Sequence, residues 1–144
     1  MYFQTIGTII GAVIGIYLGV LAIDRDPPAD LIGRTLLTPE VQPGGQLRYI
    51  NHVNRERNCS ANIERFIIDG TNFRYELNRT ALSYFGPTGI MDYGQSIIIP
   101  ETATTGAATL TVTLVYECNW LHNFYPIIVT HPVLDFKIVN KQRN

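Results

Sequence analysis

Net charge is nearly absent from this sequence: eleven Lys plus Arg stand against twelve Asp plus Glu, leaving −1 at neutral pH. No overall field favours nucleic acid or an acidic surface, so no nucleic-acid partner is expected. Lysine is scarce as well, with Lys137 and Lys141 the only two beside nine arginines. Base composition of the gene explains that bias as well as any need for bidentate anion contacts does.

Catalytic signatures are missing too. Hydrolysis needs a nucleophile on a strained turn with a base beside it, and the chain has neither a GxSxG run nor a plausible Cys/His pair. Glu64, Asp69, Asp92 and Glu117 are scattered singly, which leaves paired-carboxylate chemistry without its second member. No Gly-rich phosphate loop occurs. His52, Cys59, Cys118 and His122 are residue types that zinc prefers, but six residues separate the first two and three the last two. Neither span is the short knuckle of a closed metal site. His131, beside Pro132, reads as a loop or strand-edge side chain. The expectation is a non-enzyme with no catalytic residue, no metal and no cofactor.

Charge is also absent from Met1 to Ile23, a stretch rich in Ile, Val, Leu and Ala that ends at Asp24, Arg25 and Asp26. A helix of that length rises about 34 Å at about 1.5 Å per residue, enough to cross a hydrocarbon core about 30 Å thick. Residues 1–23 therefore read as a transmembrane signal anchor with membrane lipid as its partner. A cleaved signal peptide is the rival reading, with Val20-Leu21-Ala22 as the processing site. Gly7, Gly11, Gly15 and Gly19 form three GxxxG motifs in tandem. Each Gly costs up to about 1 kcal/mol against Ala in a helix in water, so four in register predict a face where another helix backbone packs, giving a homo-oligomer.

Residues 24–33, DRDPPADLIG, carry two prolines and three aspartates and read as an extended linker of up to about 35 Å. Residues 34–144 read as one domain of strands separated by turns. The expected strands are Arg34–Leu37, Gln46–Val53, Asn62–Asp69, Phe73–Leu77 and Ala81–Phe85. Gly94–Ile99, Ala108–Glu117, Pro126–Thr130 and Val133–Val139 follow. Leu110, Val112, Leu114 and Tyr116 alternate onto one face, as an antiparallel sandwich requires. All-β is the predicted class.

Strand count, the Pro43-Gly44-Gly45 turn before an early strand, and Tyr116-Glu117-Cys118 closing a late one resemble an immunoglobulin-like β-sandwich, as found in membrane-anchored bacterial envelope or phage proteins. The resemblance spans Arg34 to Val139 and departs from the family at Trp120, which follows the second cysteine instead of lying between the two. It implies that the second strand, Gln46–Val53, and the long strand Ala108–Glu117, taken as the family's sixth, end at the same pole of the sandwich. Cys59 and Cys118 would then meet as a disulfide, contributing roughly 4 kcal/mol in the chain-entropy model.

A lasting disulfide belongs in an oxidising compartment. It places the domain on the periplasmic or extracellular side, against the mild opposite bias of Arg25 and Arg34. Trp120, Leu121, Phe124 and Tyr125 form an aromatic loop directly after Cys118. In this arrangement the N-terminus emerges at the same pole, so the loop is expected to touch the lipid interface or a neighbouring subunit. Capping the open end of the core is the alternative for these rings. Arg48, Arg55, Arg57, Arg65, Arg74 and Arg79 alternate with acids and read as a solvated, salt-bridged surface.

Two functions follow. The first is a membrane-anchored structural or adhesion module that binds an unidentified protein partner. The second is a virion or pilus-like filament subunit whose apolar helix packs in a protein bundle. Type IV pilins resemble it in layout, but Thr5 and Pro27-Pro28 depart from their pattern.

Overall fold

The computed structural model describes residues 2–83 and 86–140. Met1, Tyr84 and Phe85 of the expected strand Ala81–Phe85, and the last four positions of the expected domain lie outside them. Helix α1 covers Tyr2–Ile23. Its 18-residue stretch Ile6–Ile23 has a mean hydropathy of 2.4 and none of it is buried against the rest of the chain. Pro27 and Pro28 cannot donate to a helical ladder, which prevents its continuation.

Ten strands follow. β1 is Ala29–Leu36, β2 Glu40–Val41, β3 Gln46–Arg55, β4 Ser60–Ile68 and β5 Arg74–Glu76. β6 is Thr80–Ser83, β7 Gly89–Ile98, β8 Gly106–Glu117, β9 Ile127–Thr130 and β10 Leu134–Ile138. The protein is thus mostly β-sheet with one N-terminal apolar helix. Nine strands match expected segments with shifted ends, whereas the two-residue β2 has no counterpart.

The linker expectation needs correction. β1 begins inside it, pairing Ala29 with Arg55 and Leu31 with Val53 before a register shift at Gly33. Asp30 and Ile32 both point outward on that strand, while Ala29 and Leu31 turn to its partly buried side, so the acid does not disturb the ladder. Only Asp24 to Pro28 connects helix to sheet.

The strands form two sheets. One has the order β1-β3-β7; the other runs β2-β10-β8-β4-β5, with β6 also on β4 and β9 also on β8. All pairings are antiparallel except β2 with β10, which is parallel. Leu47, Tyr49 and Ile97 of the first sheet and Ile63, Ile67, Leu110, Val112 and Phe136 of the second belong to one buried core. β8 is the central strand, and Ala108, Leu110, Val112, Leu114 and Tyr116 are all buried.

The disulfide joins Cys59 to Cys118 with their Cα atoms 4.5 Å apart. Both sulfurs lie at the pole where β3 and β8 end. Cys59 directly precedes β4 and Cys118 directly follows β8, so the bond flanks the Ser60–Glu117 pair of adjacent strands. At the opposite pole Asp69 is 2% exposed. Its Oδ1 accepts from the Thr71 N–H, the Thr71 hydroxyl and the Phe73 N–H, and its Oδ2 from the Thr104 N–H. Burial alone would raise this carboxyl, but those donors outweigh it and hold its pKa far below the ordinary range.

Candidate functional site

The helix is not loosely tethered. Its C-terminal carbonyls have no partner within the helix, and the β domain supplies a donor to one of them and another to the carbonyl just past its end. Asn119 Nδ2 donates to the Leu21 carbonyl at 3.3 Å, and His122 Nε2 lies 2.9 Å from the Asp24 carbonyl oxygen. Because His122 Nδ1 accepts from the Cys118 N–H at 3.0 Å, the ring carries its proton on Nε2 and donates there. A short 3-10 helix, Trp120–Asn123, aims this ring inward, started by Asn119, whose side chain accepts from the Leu121 N–H.

Arginines complete the joint. Arg57 Nη1 lies 2.7 and 2.8 Å from the two Asp24 carboxylate oxygens, and its Nη2 donates to the Asp26 carbonyl. The Arg57 hydrogen bond holds the Asp24 pKa below its ordinary value, against the opposing effect of burial. Arg25 donates to the carbonyls of Tyr125 and Pro126 at 2.7 and 3.1 Å and stacks over the Tyr125 ring. The Glu56 N–H donates to the carbonyl of buried Pro28. Contacts from the 56–57 and 119–126 segments thus fasten the connector on two sides.

The aromatic rings do not cap the core. Trp120 is 51%, Phe124 81% and Tyr125 69% exposed, with Leu121 half-buried. Exposed Ile128 lies close by in sequence, so a contiguous stretch of the loop and β9 shows apolar side chains beside the helix exit. The four helix glycines have nothing within 4 Å of where a Cβ would stand. Their i, i+4 spacing leaves an open stripe along one side of α1.

Several charged residues that read as surface in the sequence lie inside. His131 is 9% exposed, and its Nδ1 accepts from Arg34 Nη2 at 3.2 Å. Burial, reinforced by the Arg34 charge, pushes its pKa down to about 4. Arg34 also donates to Asn51 Oδ1 at 2.7 Å and stacks over Tyr49. Arg55 and Arg65, expected on a solvated surface, instead line a cavity of about 140 Å³ between the sheets. Their positions have a signal in β3 and β4: each falls on the same alternation as buried Leu47 and Ile63. Arg74 with Glu76 and Arg79 with Glu64 do form the expected exposed ion pairs.

On the outer face of the smaller sheet, Thr35 Oγ1 lies 2.9 Å from His52 Nε2, and His52 Nδ1 lies 2.6 Å from Asp92 Oδ1. The order of groups is that of a nucleophile, base and orienting acid. The Asp92 side chain is 63% exposed, so the trio stands on an open sheet face in water and ties β1, β3 and β7 together. No group of metal-ligating side chains occurs among the described residues. His52, Cys59, Cys118 and His122 are engaged with Asp92, each other and the helix joint respectively.

The chain matches no protein-family model. No curated protein matches it either. Among solved structures it is similar to the Pseudomonas fluorescens alkylpurine DNA glycosylase AlkC, bound to DNA containing an abasic site analog. The TM-score is 0.44 and the identity 7%, over 77% of this chain and 30% of that one. It is also similar to the sporulation control protein Spo0M from Bacillus subtilis, with a TM-score of 0.36 and 12% identity over 82% of this chain and 51% of that one. The chain therefore spans well under two thirds of either protein.

Proposed function

We propose that the protein is a non-catalytic module of structural or adhesive function. α1 spans a membrane once and holds the β domain on its periplasmic or extracellular side. The observation that carries this reading is the joint: an exposed apolar helix fastened to the β domain by Asn119, His122, Arg25 and Arg57, with Trp120, Phe124 and Tyr125 bare beside its exit. Amphipathic rings at that level match the preference of Trp and Tyr for headgroup depth. The disulfide supports an oxidising compartment.

An immunoglobulin-like sandwich is the fold we assign to the β domain. Its support is the β1-β3-β7 sheet facing the β10-β8-β4 sheet, with a short strand, β2, added parallel to β10. The open glycine stripe supports helix-mediated self-association. It also supports the second reading, a virion or filament subunit whose helices pack against protein.

Alkaline carbonate washing of membranes from cells making the full chain tests the anchor. Retention after the wash and release by detergent as small discrete particles is expected. Release by carbonate alone excludes a bilayer anchor, and sedimentation as long polymers after detergent favours the filament. Alkylation of intact cells with and without reductant tests the compartment. Cys59 and Cys118 labelled without reductant would overturn the exported location.

A further inference from the structure

The cavity between the sheets is walled on one side by Val53 with Asn51, Tyr93 and Gln95, and on the other by Ile63, Leu82, Val112 and Leu114. Arg55, Arg65 and His131 also reach it, and no lining residue is Asp or Glu. Arg65 donates to Gln95 Oε1 at 3.3 Å, while its Nε is buried with no hydrogen-bond partner among the described residues. A guanidinium removed from water is costly unless its donors and its charge are met. Arg65 lines this space with that donor unmet and no carboxylate among the lining residues, so the chemistry it lacks is an anion.

Its walls restrict which anion. A water needs about 10–15 Å³ of such volume, so 140 Å³ admits roughly ten non-hydrogen atoms. Five branched aliphatic side chains and three tyrosines would leave a fully hydrated dianion poorly solvated. A carboxylate on a compact apolar body meets both halves, because it accepts from a guanidinium in a planar fork and buries its remainder against the branched chains.

We propose that this cavity binds a small organic monocarboxylate of about ten non-hydrogen atoms, with its carboxylate on Arg65 and its apolar body against Val53, Ile63, Leu82 and Leu114. No residue of α1 lines the cavity, so the site is independent of how the domain is anchored.

Benzoate, of matching size, is the probe, added to the full chain in a non-ionic detergent and followed by calorimetry and by carbon NMR of a labelled carboxyl. Saturable one-site binding is expected, with a Kd on the order of 0.1–1 mM given the efficiency of such small ligands. Arg65→Gln should weaken it at least tenfold, as loss of a charged partner does. Leu82→Trp, which fills the cavity and spares Arg65, should abolish it, and unchanged circular dichroism and thermal midpoint would show that the fold survives. Benzyl alcohol binding as tightly as benzoate, inorganic phosphate binding more tightly, or benzoate binding unaltered in both variants would each overturn the assignment. So would the absence of saturable binding to the wild-type chain.

Discussion

His122 donates from Nε2 to the carbonyl of Asp24 at 2.9 Å, joining a buried side chain of the β domain to the backbone just past the apolar helix. The Cys118 N–H on its other nitrogen fixes the tautomer that makes this possible. The joint is therefore linked to the disulfide through a single residue.

Loosening that joint should be visible as proteolysis. His122→Ala removes the partners of the Asp24 carbonyl and the Cys118 N–H and leaves a cavity. Arg57→Ala unties Asp24 and Asp26. The second variant should cost about 1 kcal/mol because its ion pair is partly solvated, and the first about 2 kcal/mol. Limited digestion of detergent-solubilised protein should then cut between Asp24 and Pro28 at several times the wild-type rate. An unchanged rate in the double variant would refute the fastened connector.

Reducing the disulfide should lower stability substantially. The cysteines are 59 residues apart in sequence, and closing a loop of that size contributes roughly 4 kcal/mol in the chain-entropy model. Guanidinium unfolding with and without reductant checks this, as does Cys59→Ser with Cys118→Ser. A change below about 1 kcal/mol would contradict that model here.

Asp69 predicts an acid limb in the stability curve. Its folded pKa is depressed, so its contribution is complete above the unfolded value of about 3.9 and is lost as pH falls from there toward the folded value. Asp69→Ala strands the Thr71, Phe73 and Thr104 N–H groups and should cost about 3 kcal/mol at neutral pH. Asp69→Asn should flatten the limb below about pH 4. Urea midpoints measured across pH 2 to 7 distinguish these outcomes.

His131 predicts a second limb at higher pH. It titrates near 6.5 in an unfolded chain and at about 4 when folded. Between those values the unfolded chain holds a proton that the folded chain does not, so stability falls as pH drops through this window and levels off below it. His131→Gln should abolish that slope. A carbon NMR titration placing the His131 midpoint near 6.5 in the folded protein would contradict the burial argument.

The glycine stripe predicts association through α1. Gly11→Leu with Gly15→Leu places branched side chains on the open face and should weaken helix pairing in a membrane two-hybrid assay by tenfold or more. The β domain should be unaffected, because these glycines meet nothing within 4 Å. Equal signal from the double variant would assign association to another surface.

Strands that carry the core were legible in the sequence because their side chains alternate. Leu110 to Tyr116 declares its buried face without knowing its neighbours, and Asn62 to Asp69 does nearly so. β2 was not legible, since two residues carry no period and Val41 is fixed by pairing with Ile138, almost a hundred positions away. β1 was hidden by Asp30 and by Pro28 just before it, both of which read as linker until Asn54 and Glu56 supply their partners. The aromatic loop was legible as a cluster after Cys118, but whether its rings faced inward depended on the fold of Trp120–Asn123. The cavity drew on strands of both sheets, and the arginines within it looked like surface because local charge alternation says nothing about what the opposite sheet provides.

A fastened helix also has a mechanical consequence. Were Asp24 to Pro28 a flexible tether, pairing two helices would leave their β domains free to tumble, and the pair would present its far loops at no fixed spacing. With Asn119, His122, Arg25 and Arg57 holding the connector, rotation of one helix against another turns the attached β domains with it. A dimer seamed along Gly7 to Gly19 would therefore act as a rigid two-pronged fork, and the geometry of any bivalent encounter at the Asp69 pole would be set by glycines at the opposite end of the molecule.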